Sequence, residues 1–171
     1  EGQAVHFPEI RTTATVDGKH EVTAARRITL VDTVAYKNLI PGKQYTVSGK
    51  LMDKATGKAL LIKGKEVTST ATFTAEAAEG AVEVTFKFNA IDLGGHDVVV
   101  FEDMYDGQVL VATHAAIEDK GQTVTITPYT SDVPQTGDMS NTGFWIGIGG
   151  IALGGMIAAI IIFRKKKDDI E

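Results

Sequence analysis

The sequence contains no cysteine, so the disulfide bond that usually staples extracellular domains is unavailable. No excess of basic residues is present either: the net charge is −5 and charged residues make up 23% of the chain, which argues against a nucleic-acid partner. The four histidines (His6, His20, His96 and His114) are scattered without paired ligand spacing, and no segment resembles a calcium loop. We therefore expect no metal and no cofactor.

One long apolar run is present, from Phe144 to Phe163, and four basic residues, 164–167, follow it. About 20 apolar residues are enough for a helix to cross the ~30 Å hydrocarbon core of a bilayer. A helix of a soluble core would keep a polar face, and this run has none. The pattern predicts a transmembrane helix at 144–163 with a cytoplasmic basic tail at 164–171, so the rest of the chain lies outside the cell.

A short motif precedes this run. Val133, Pro134, Gln135, Thr136 and Gly137 resemble the cell-wall sorting signal of Gram-positive surface proteins, usually written Leu-Pro-x-Thr-Gly, with valine in place of leucine. The resemblance implies that a sortase cleaves after Thr136 and transfers its acyl group to peptidoglycan or to another pilin subunit, while the membrane holds the tail transiently. The sortase class stays open. Because the chain begins at Glu1 without a signal peptide, we expect a C-terminal piece of a longer, exported, wall-anchored protein.

Upstream of the motif, the pattern is that of short β-strands separated by turns. Residues 1–7 read as a linker, 8–128 as one domain without internal repeats, and 129–143 as a stalk that contains the sorting motif. About eight strands with turns every 8–12 residues are typical of an antiparallel, immunoglobulin-like β-sandwich. The predicted strands are 11–16, one or two within 21–36, 44–53, 65–74, 80–88, 98–104, 109–114 and 122–127.

Four polar side chains fall on strand faces that are otherwise apolar: Thr12, Asp32, Glu102 and Gln122. A buried polar group without a partner costs about 1–3 kcal/mol, so each needs an explanation. Taken singly, the threonine is commonplace on a strand, the aspartate can cap a strand end, and the other two can lie at solvated rims. Their joint occurrence favours a common site that joins the start of the domain to its end.

Over residues 8–127 the sequence resembles the Thr–Gln ester-bond domains, also called VaFE repeats, of Gram-positive adhesins and pilins. The matching blocks, in order, are Phe7-Pro8-Glu9-Ile10-Arg11-Thr12-Thr13, Asp32-Thr33-Val34-Ala35-Tyr36, Leu39-Ile40-Pro41-Gly42-Lys43-Gln44-Tyr45, Gly49-Lys50-Leu51-Met52, Val99-Val100-Phe101-Glu102 and Asp119-Lys120-Gly121-Gln122-Thr123-Val124.

The resemblance implies a chemical role for each unusual side chain. The Thr12 hydroxyl is the nucleophile and the Gln122 carboxamide the acceptor of an intramolecular ester, formed with release of ammonia. His114 and Asp119 match the proton-handling pair. Asp32 and Glu102 match the family's two acidic residues; burial should raise their pKa values, so that a neutral carboxyl can donate a hydrogen bond to the carboxamide oxygen.

The function implied is a structural stalk or pilin module rather than an enzyme, because this reaction runs once and consumes its own nucleophile. A covalent bond between Thr12 and Gln122 closes a loop of about 110 residues. Treated like a disulfide, it stabilises the folded domain by roughly 4–5 kcal/mol. The main alternative is an adhesin domain that contacts a host or matrix ligand through loops 54–58 and 103–108. An isopeptide domain is disfavoured because the first strand lacks lysine and the last lacks asparagine, and a hydrolase is the least favoured class.

Overall fold

The computed structural model describes residues 7–130. The sorting motif 133–137, the predicted span 144–163 and the basic tail 164–171 lie outside the described residues, as does most of the predicted linker. Within residues 7–130, no helix is long and apolar enough to cross a membrane.

The described chain is all β, as the sequence pattern predicts. Strands 44–53, 80–88 and 109–114 are confirmed residue for residue, and the predicted segment 21–36 forms two strands. The predicted strand 65–74 is divided into two strands, 65–66 and 68–74, and two two-residue strands, 58–59 and 61–62, were not predicted. The strands are β1 (Glu9–Thr15), β2 (Glu21–Thr23), β3 (Ile28–Lys37), β4 (Gln44–Asp53), β5 (Lys58–Ala59), β6 (Leu61–Ile62), β7 (Lys65–Glu66), β8 (Thr68–Thr74), β9 (Gly80–Phe88), β10 (His96–Asp106), β11 (Val109–His114) and β12 (Thr123–Thr127).

Two sheets pack face to face as a β-sandwich. The smaller sheet has the order β1-β3-β9 and is antiparallel throughout. The larger sheet follows the order β2-β12-β10-β4-β5, with β11 on β10 and β8 on β4; its one parallel pair is β2 with β12. Near the β8 and β9 edges, the Ser69 hydroxyl donates to the Thr85 carbonyl at 2.7 Å.

β11 and β12 lie along the same side of β10 and together form one interrupted strand. β12 pairs with the first residues of β10, and β11 pairs with its last five. The connection from 115 to 122 therefore lies beside the middle of β10, where the Val100 amide donates to the Gln122 carbonyl at 3.1 Å. Because of this interruption, Gln122 belongs to a loop and yet lies inside the sandwich, opposite the edge strand β1.

Alternation along the strands builds the core between the sheets. In β1 every second residue is buried, and β3 shows the same period over its ten residues. Gly49 belongs to the buried row of β4, and a Cβ at this position would lie 2.5 Å from the tip of the Phe86 ring. The glycine thus leaves the space that the largest fully buried side chain of the described residues occupies.

The chain enters and leaves the domain at opposite ends. β1 is antiparallel to β3, β3 to β9, and β12 is antiparallel to β10. Residue Pro128 follows β12 beside Gly94, at the end of the sandwich where β10 begins. Tension applied to the two termini would therefore pull β1 and β12 along their own lengths, away from each other.

Candidate functional site

Thr12 and Asp32 reach the interior from the smaller sheet. Thr12 pairs with Val34 and Ala14 with Asp32 across the β1–β3 ladder, so all four side chains share the inner face. The Thr12 side chain is 7% exposed and Asp32 is fully buried, whereas Thr13 is exposed on the outer face. Strand alternation therefore selects Thr12, rather than its neighbour, as the interior hydroxyl.

Gln122 and Glu102 reach the same space from the larger sheet. Gln122 is completely buried at the interruption before β12, and Glu102 is 1% exposed in β10. The Gln122 Nε2 donates to Thr12 Oγ1 at 2.6 Å and to Glu102 Oε2 at 2.7 Å. The structure thus brings together two side chains 110 positions apart in sequence, in a hydrogen-bonded arrangement shielded from solvent.

The two buried carboxyls, Asp32 and Glu102, are neighbours in the site, and burial raises the pKa of both. Burial, together with the hydrogen bond and the charge of the neighbouring Asp32, raises the pKa of Glu102 from its ordinary value of 4.5 to about 10. Desolvation also raises the pKa of Asp32, opposed by hydrogen bonding with Glu102 and by the nearby His114. Both Asp32 oxygens and Glu102 Oε1 have no donor among the described residues. A proton on Glu102 Oε1 supplies the missing donor, so Glu102 is the neutral member of the pair.

His114 and Asp119 form the second polar pair of the site. His114 lies opposite Glu102 in the β10–β11 ladder, and its Nε2 is 3.0 Å from Asp119 Oδ2. The pKa of Asp119 is lowered, first by its hydrogen bond with His114 and then by the Gly121 amide. No hydrogen bond joins His114 to Thr12 within the described part of the chain. Both line an open cavity of about 630 Å³ between the β1 and β11 edges.

The loop that carries Gln122 contributes two residues to which the sequence assigned no role. The Gly121 amide donates to Asp119 Oδ1 at 2.7 Å, and its carbonyl accepts from the Ala14 amide of β1 at 2.9 Å. The Thr123 hydroxyl donates to the Asp119 carbonyl at 2.6 Å. In the sequence, only the spacing in Asp119-Lys120-Gly121-Gln122-Thr123 indicates this turn. An aspartate two residues before a glycine is typical of a turn capped by its side chain.

The closest lysine–carboxyl pair in the described chain does not fit isopeptide chemistry. Lys43 contacts Asp106 near the β10–β11 hairpin, and both side chains are partly exposed. The hydrogen bond with Asp106 raises the pKa of Lys43, which keeps its amine protonated and therefore poorly nucleophilic. This pair is an ion pair that connects the turn before β4 to the hairpin.

The buried acid predicts a pH dependence of stability. Because the folded state raises the pKa of Glu102, the folded domain retains a proton that the unfolded chain loses above about pH 5. Stability of the domain without a crosslink should therefore fall as the pH rises from about 6 to 9, by at most about 1.4 kcal/mol per pH unit. Asp53 and Asp119 have lowered pKa values in the folded domain, so their ionised carboxylates stabilise it. This stabilisation is lost at lower pH, as the pH falls through the folded pKa.

This dependence is measured by urea unfolding of a Thr12→Val variant between pH 6 and pH 9. A Thr12→Val/Glu102→Gln double variant is the control, because its side chain at 102 stays neutral at every pH. The single variant should lose more stability than the double variant over this range. Equal slopes would show that Glu102 titrates in the folded state as it does in the unfolded chain.

The fold and the site together define an immunoglobulin-like β-sandwich module with a buried hydroxyl–carboxamide pair between its first and last strands. A family model described as the T-Q ester bond containing domain matches residues 8–126. The chain belongs to this family of Thr–Gln ester-bond domains. No curated protein sequence matches the chain.

Solved structures support the fold. An adhesin from Mobiluncus mulieris, described as containing intramolecular disulfide, isopeptide and ester bond cross-links, superposes with a TM-score of 0.62 at 19% identity in each of two crystal forms. The match covers 71% of this chain and 57% of the adhesin chain. A putative β-galactosidase from Bacteroides fragilis aligns at 11% identity over 63% of this chain and 16% of its own, with a TM-score of 0.45, which is too low to carry a conclusion.

Proposed function

We propose that Thr12 and Gln122 condense into an intramolecular ester and that the domain is a self-crosslinked structural module. The observation that carries this proposal is the 2.6 Å contact between Thr12 Oγ1 and Gln122 Nε2 in a buried site. In the reaction, the Thr12 Oγ–H bond and the Gln122 Cδ–Nε2 bond break. The Oγ–Cδ bond forms, and the nitrogen leaves as ammonia with the hydroxyl proton, so atoms and charge balance.

Two proton transfers are needed, and the two polar pairs suit them. A free hydroxyl is a weak nucleophile, so a base must remove the Thr12 proton as Oγ1 attacks. His114 lines the same cavity as Thr12, and the Asp119 carboxylate orients its ring. The amide nitrogen is a poor leaving group until it is protonated. Glu102 is neutral, and transfer of its proton from Oε1 to Oε2, which lies 2.7 Å from that nitrogen, makes it suited to act as the general acid.

This assignment differs from the expectation that a neutral carboxyl donates to the carboxamide oxygen. Gln122 Oε1 is buried without a donor among the described residues, while Glu102 faces the nitrogen end of the same group. We infer that Glu102 acts mainly on the departing nitrogen. Asp32 is then the neighbouring carboxyl whose charge keeps the proton on Glu102.

The crosslink assigns a mechanical role to the module. Force entering at β1 and leaving at β12 would pass through residues 9–12, the ester and residues 122–127, and residues 13–121 would carry none of it. A stalk under tension requires that the strands between its two ends stay folded. The ester needs neither an oxidant nor a thiol, in keeping with the absence of cysteine.

Single-molecule stretching tests this role. If the ester forms, the wild-type domain pulled from its termini should show no unfolding step. A Thr12→Val domain should extend by on the order of 350–400 Å as its loop of about 110 residues unravels. The matched control is Thr13→Val, which alters the exposed neighbour and should behave like wild type. A full-length step in wild type would contradict the proposal.

We further propose that the module belongs to an extracellular adhesin or pilin-type protein attached to a Gram-positive cell wall. The family assignment and the likeness in fold to a bacterial adhesin support a cell-surface role. The order of sorting motif, apolar run and basic tail supports a sortase as partner and peptidoglycan or another pilin subunit as acceptor.

The anchoring step is tested by expression of the chain, with a secretion signal, in a Gram-positive host. Thr136→Ala should abolish the detergent-resistant wall fraction, because a sortase forms its acyl intermediate at this residue. Thr130→Ala, upstream of the motif, is the control and should leave that fraction unchanged. Persistence of Thr136→Ala in the wall fraction would exclude sorting at this motif.

A further inference from the structure

The reach of Gln122 into the site depends on the short loop that precedes β12. Four hydrogen bonds join residues within the turn 119–123, and the acceptor in each of them is Asp119 or Lys120. The Gly121 amide and the Thr123 hydroxyl donate to Asp119 Oδ1 and to the Asp119 carbonyl at 2.7 and 2.6 Å, respectively. The amides of Gln122 and Thr123 donate to the carbonyls of Asp119 and Lys120 at 3.3 and 3.4 Å.

The four hydrogen bonds differ in length and therefore in how firmly each of them holds the turn. Backbone hydrogen bonds of 3.3–3.4 Å are longer than the usual N–H···O distance of about 2.7–3.2 Å and hold a turn weakly. The Thr123 hydroxyl bond, at 2.6 Å, is short for a neutral donor and acceptor. Together with the Gly121 bond to the Asp119 carboxylate, it is therefore one of the two shorter hydrogen bonds within this turn.

The position of Thr123 couples this bond to the sheet. Thr123 is the first residue of β12, is 9% exposed and pairs with Val99 in β10. Its backbone is thus fixed by the larger sheet, while its hydroxyl holds the carbonyl of Asp119. Gln122, between them, has its own carbonyl held by the Val100 amide of β10.

We infer that Thr123 is a positioning residue for ester formation. Its hydroxyl fixes the Asp119 backbone to the start of β12, and this places the Gln122 carboxamide against Thr12 and the Asp119 carboxylate against His114. Thr123 touches neither reacting atom and acts through these neighbours. This inference rests on the proposed function, since it concerns the rate of the Thr12–Gln122 condensation.

The test compares Thr123→Val with Thr123→Ser in residues 1–131, which form a compact unit with its own core. Valine keeps the shape of the side chain and removes the hydroxyl, whereas serine keeps the hydroxyl. Cell-free translation is pulse-labelled and quenched into acid at intervals, and the fraction that lacks one ammonia is followed by intact mass. Thr125→Val is the matched control on the same strand, because its hydroxyl donates to Asp97 instead.

Thr123→Val should form the crosslink at least about tenfold more slowly than wild type, because misplacement of a reacting group by about 1 Å can cost up to about 100-fold. Thr123→Ser and Thr125→Val should stay within about threefold of wild type. Wild-type speed in Thr123→Val, or equal slowing in Thr123→Ser, would overturn the inference. Absence of ammonia loss in wild type would instead contradict the proposed function.

Folding is assessed separately on the Thr12→Val background, where no crosslink can form. Addition of Thr123→Val should lower the melting temperature by no more than about 8 °C, the effect of one hydrogen bond. If the valine variant does not fold, Thr123→Ser and Thr123→Ala make the same comparison in smaller side chains. Serine should then be faster than alanine by at least about fivefold, and equal rates would overturn the inference.

Discussion

Thr12→Val is expected to lower the free energy of unfolding by about 4–5 kcal/mol, because the unfolded chain regains the freedom of a loop of about 110 residues. For a domain of this size, the melting temperature should fall by about 12–25 °C. Valine matches threonine in shape and leaves no cavity on the buried face of β1. Calorimetry of residues 1–131 under one buffer condition measures the effect.

Removal of the acceptor should have the same consequence as removal of the nucleophile. Gln122→Met lacks the carboxamide carbon, so it should lose the same stabilisation. The double variant with Thr12→Val should be hardly less stable than either single variant, since each alone removes the whole crosslink. Additive losses would show that the two side chains stabilise the domain independently, and Thr13→Val should leave the melting temperature almost unchanged.

Glu102→Gln is expected to slow ester formation by at least about 100-fold, because its amide cannot protonate the leaving nitrogen. The substitution keeps the shape and neutrality of the side chain. Since Glu102 is neutral near pH 7, the fold should tolerate the change. The loss of ammonia with time, followed by intact mass after translation, is the readout.

Asp103→Asn is the matched control for this variant. Asp103 follows Glu102 in β10 with its side chain on the opposite face of the strand, outside the site. Its crosslinking rate should equal that of wild type. If Glu102→Gln reacted as fast as wild type, Glu102 would serve only to fill the site, and another group would have to protonate the departing amine.

Much of the fold follows directly from local pattern. Period-two alternation predicted the exact bounds of β4 and β9, because buried residues alternate with more exposed ones along most of each strand. The short strands 58–59 and 61–62 were not predicted. Each has only two residues, which is too few to show a period, and their pairing is decided by contacts with β4 and with β7.

Strand alternation also identified polar residues of the site, because it places them on faces that are otherwise apolar. Thr12, Asp32 and Glu102 stand in rows that strand alternation assigns to the interior, and the structure buries all three. Gln122 was placed within the last strand, whereas it lies in the loop just before that strand. The interruption between β11 and β12 depends on hydrogen bonds with β10 and β1, and no local pattern encodes such long-range contacts.

The orientation of the carboxamide also lay beyond sequence reasoning. The family resemblance led us to expect a carboxyl at the carboxamide oxygen of Gln122, whereas Glu102 Oε2 lies at the nitrogen. Which end of the carboxamide it meets depends on about 1 Å of placement, set by the loop around Asp119 and by the packing of β1 against it.

The most direct test of the central proposal is tandem mass spectrometry of the denatured, protease-digested domain 1–131. We expect one branched species in which the peptide containing Thr12 is joined to the peptide containing Gln122, with a mass one ammonia below their sum. Mild alkaline hydroxylamine should cleave it, as expected for an ester and not for an amide. Two separate, unmodified peptides from a folded wild-type domain would contradict the account.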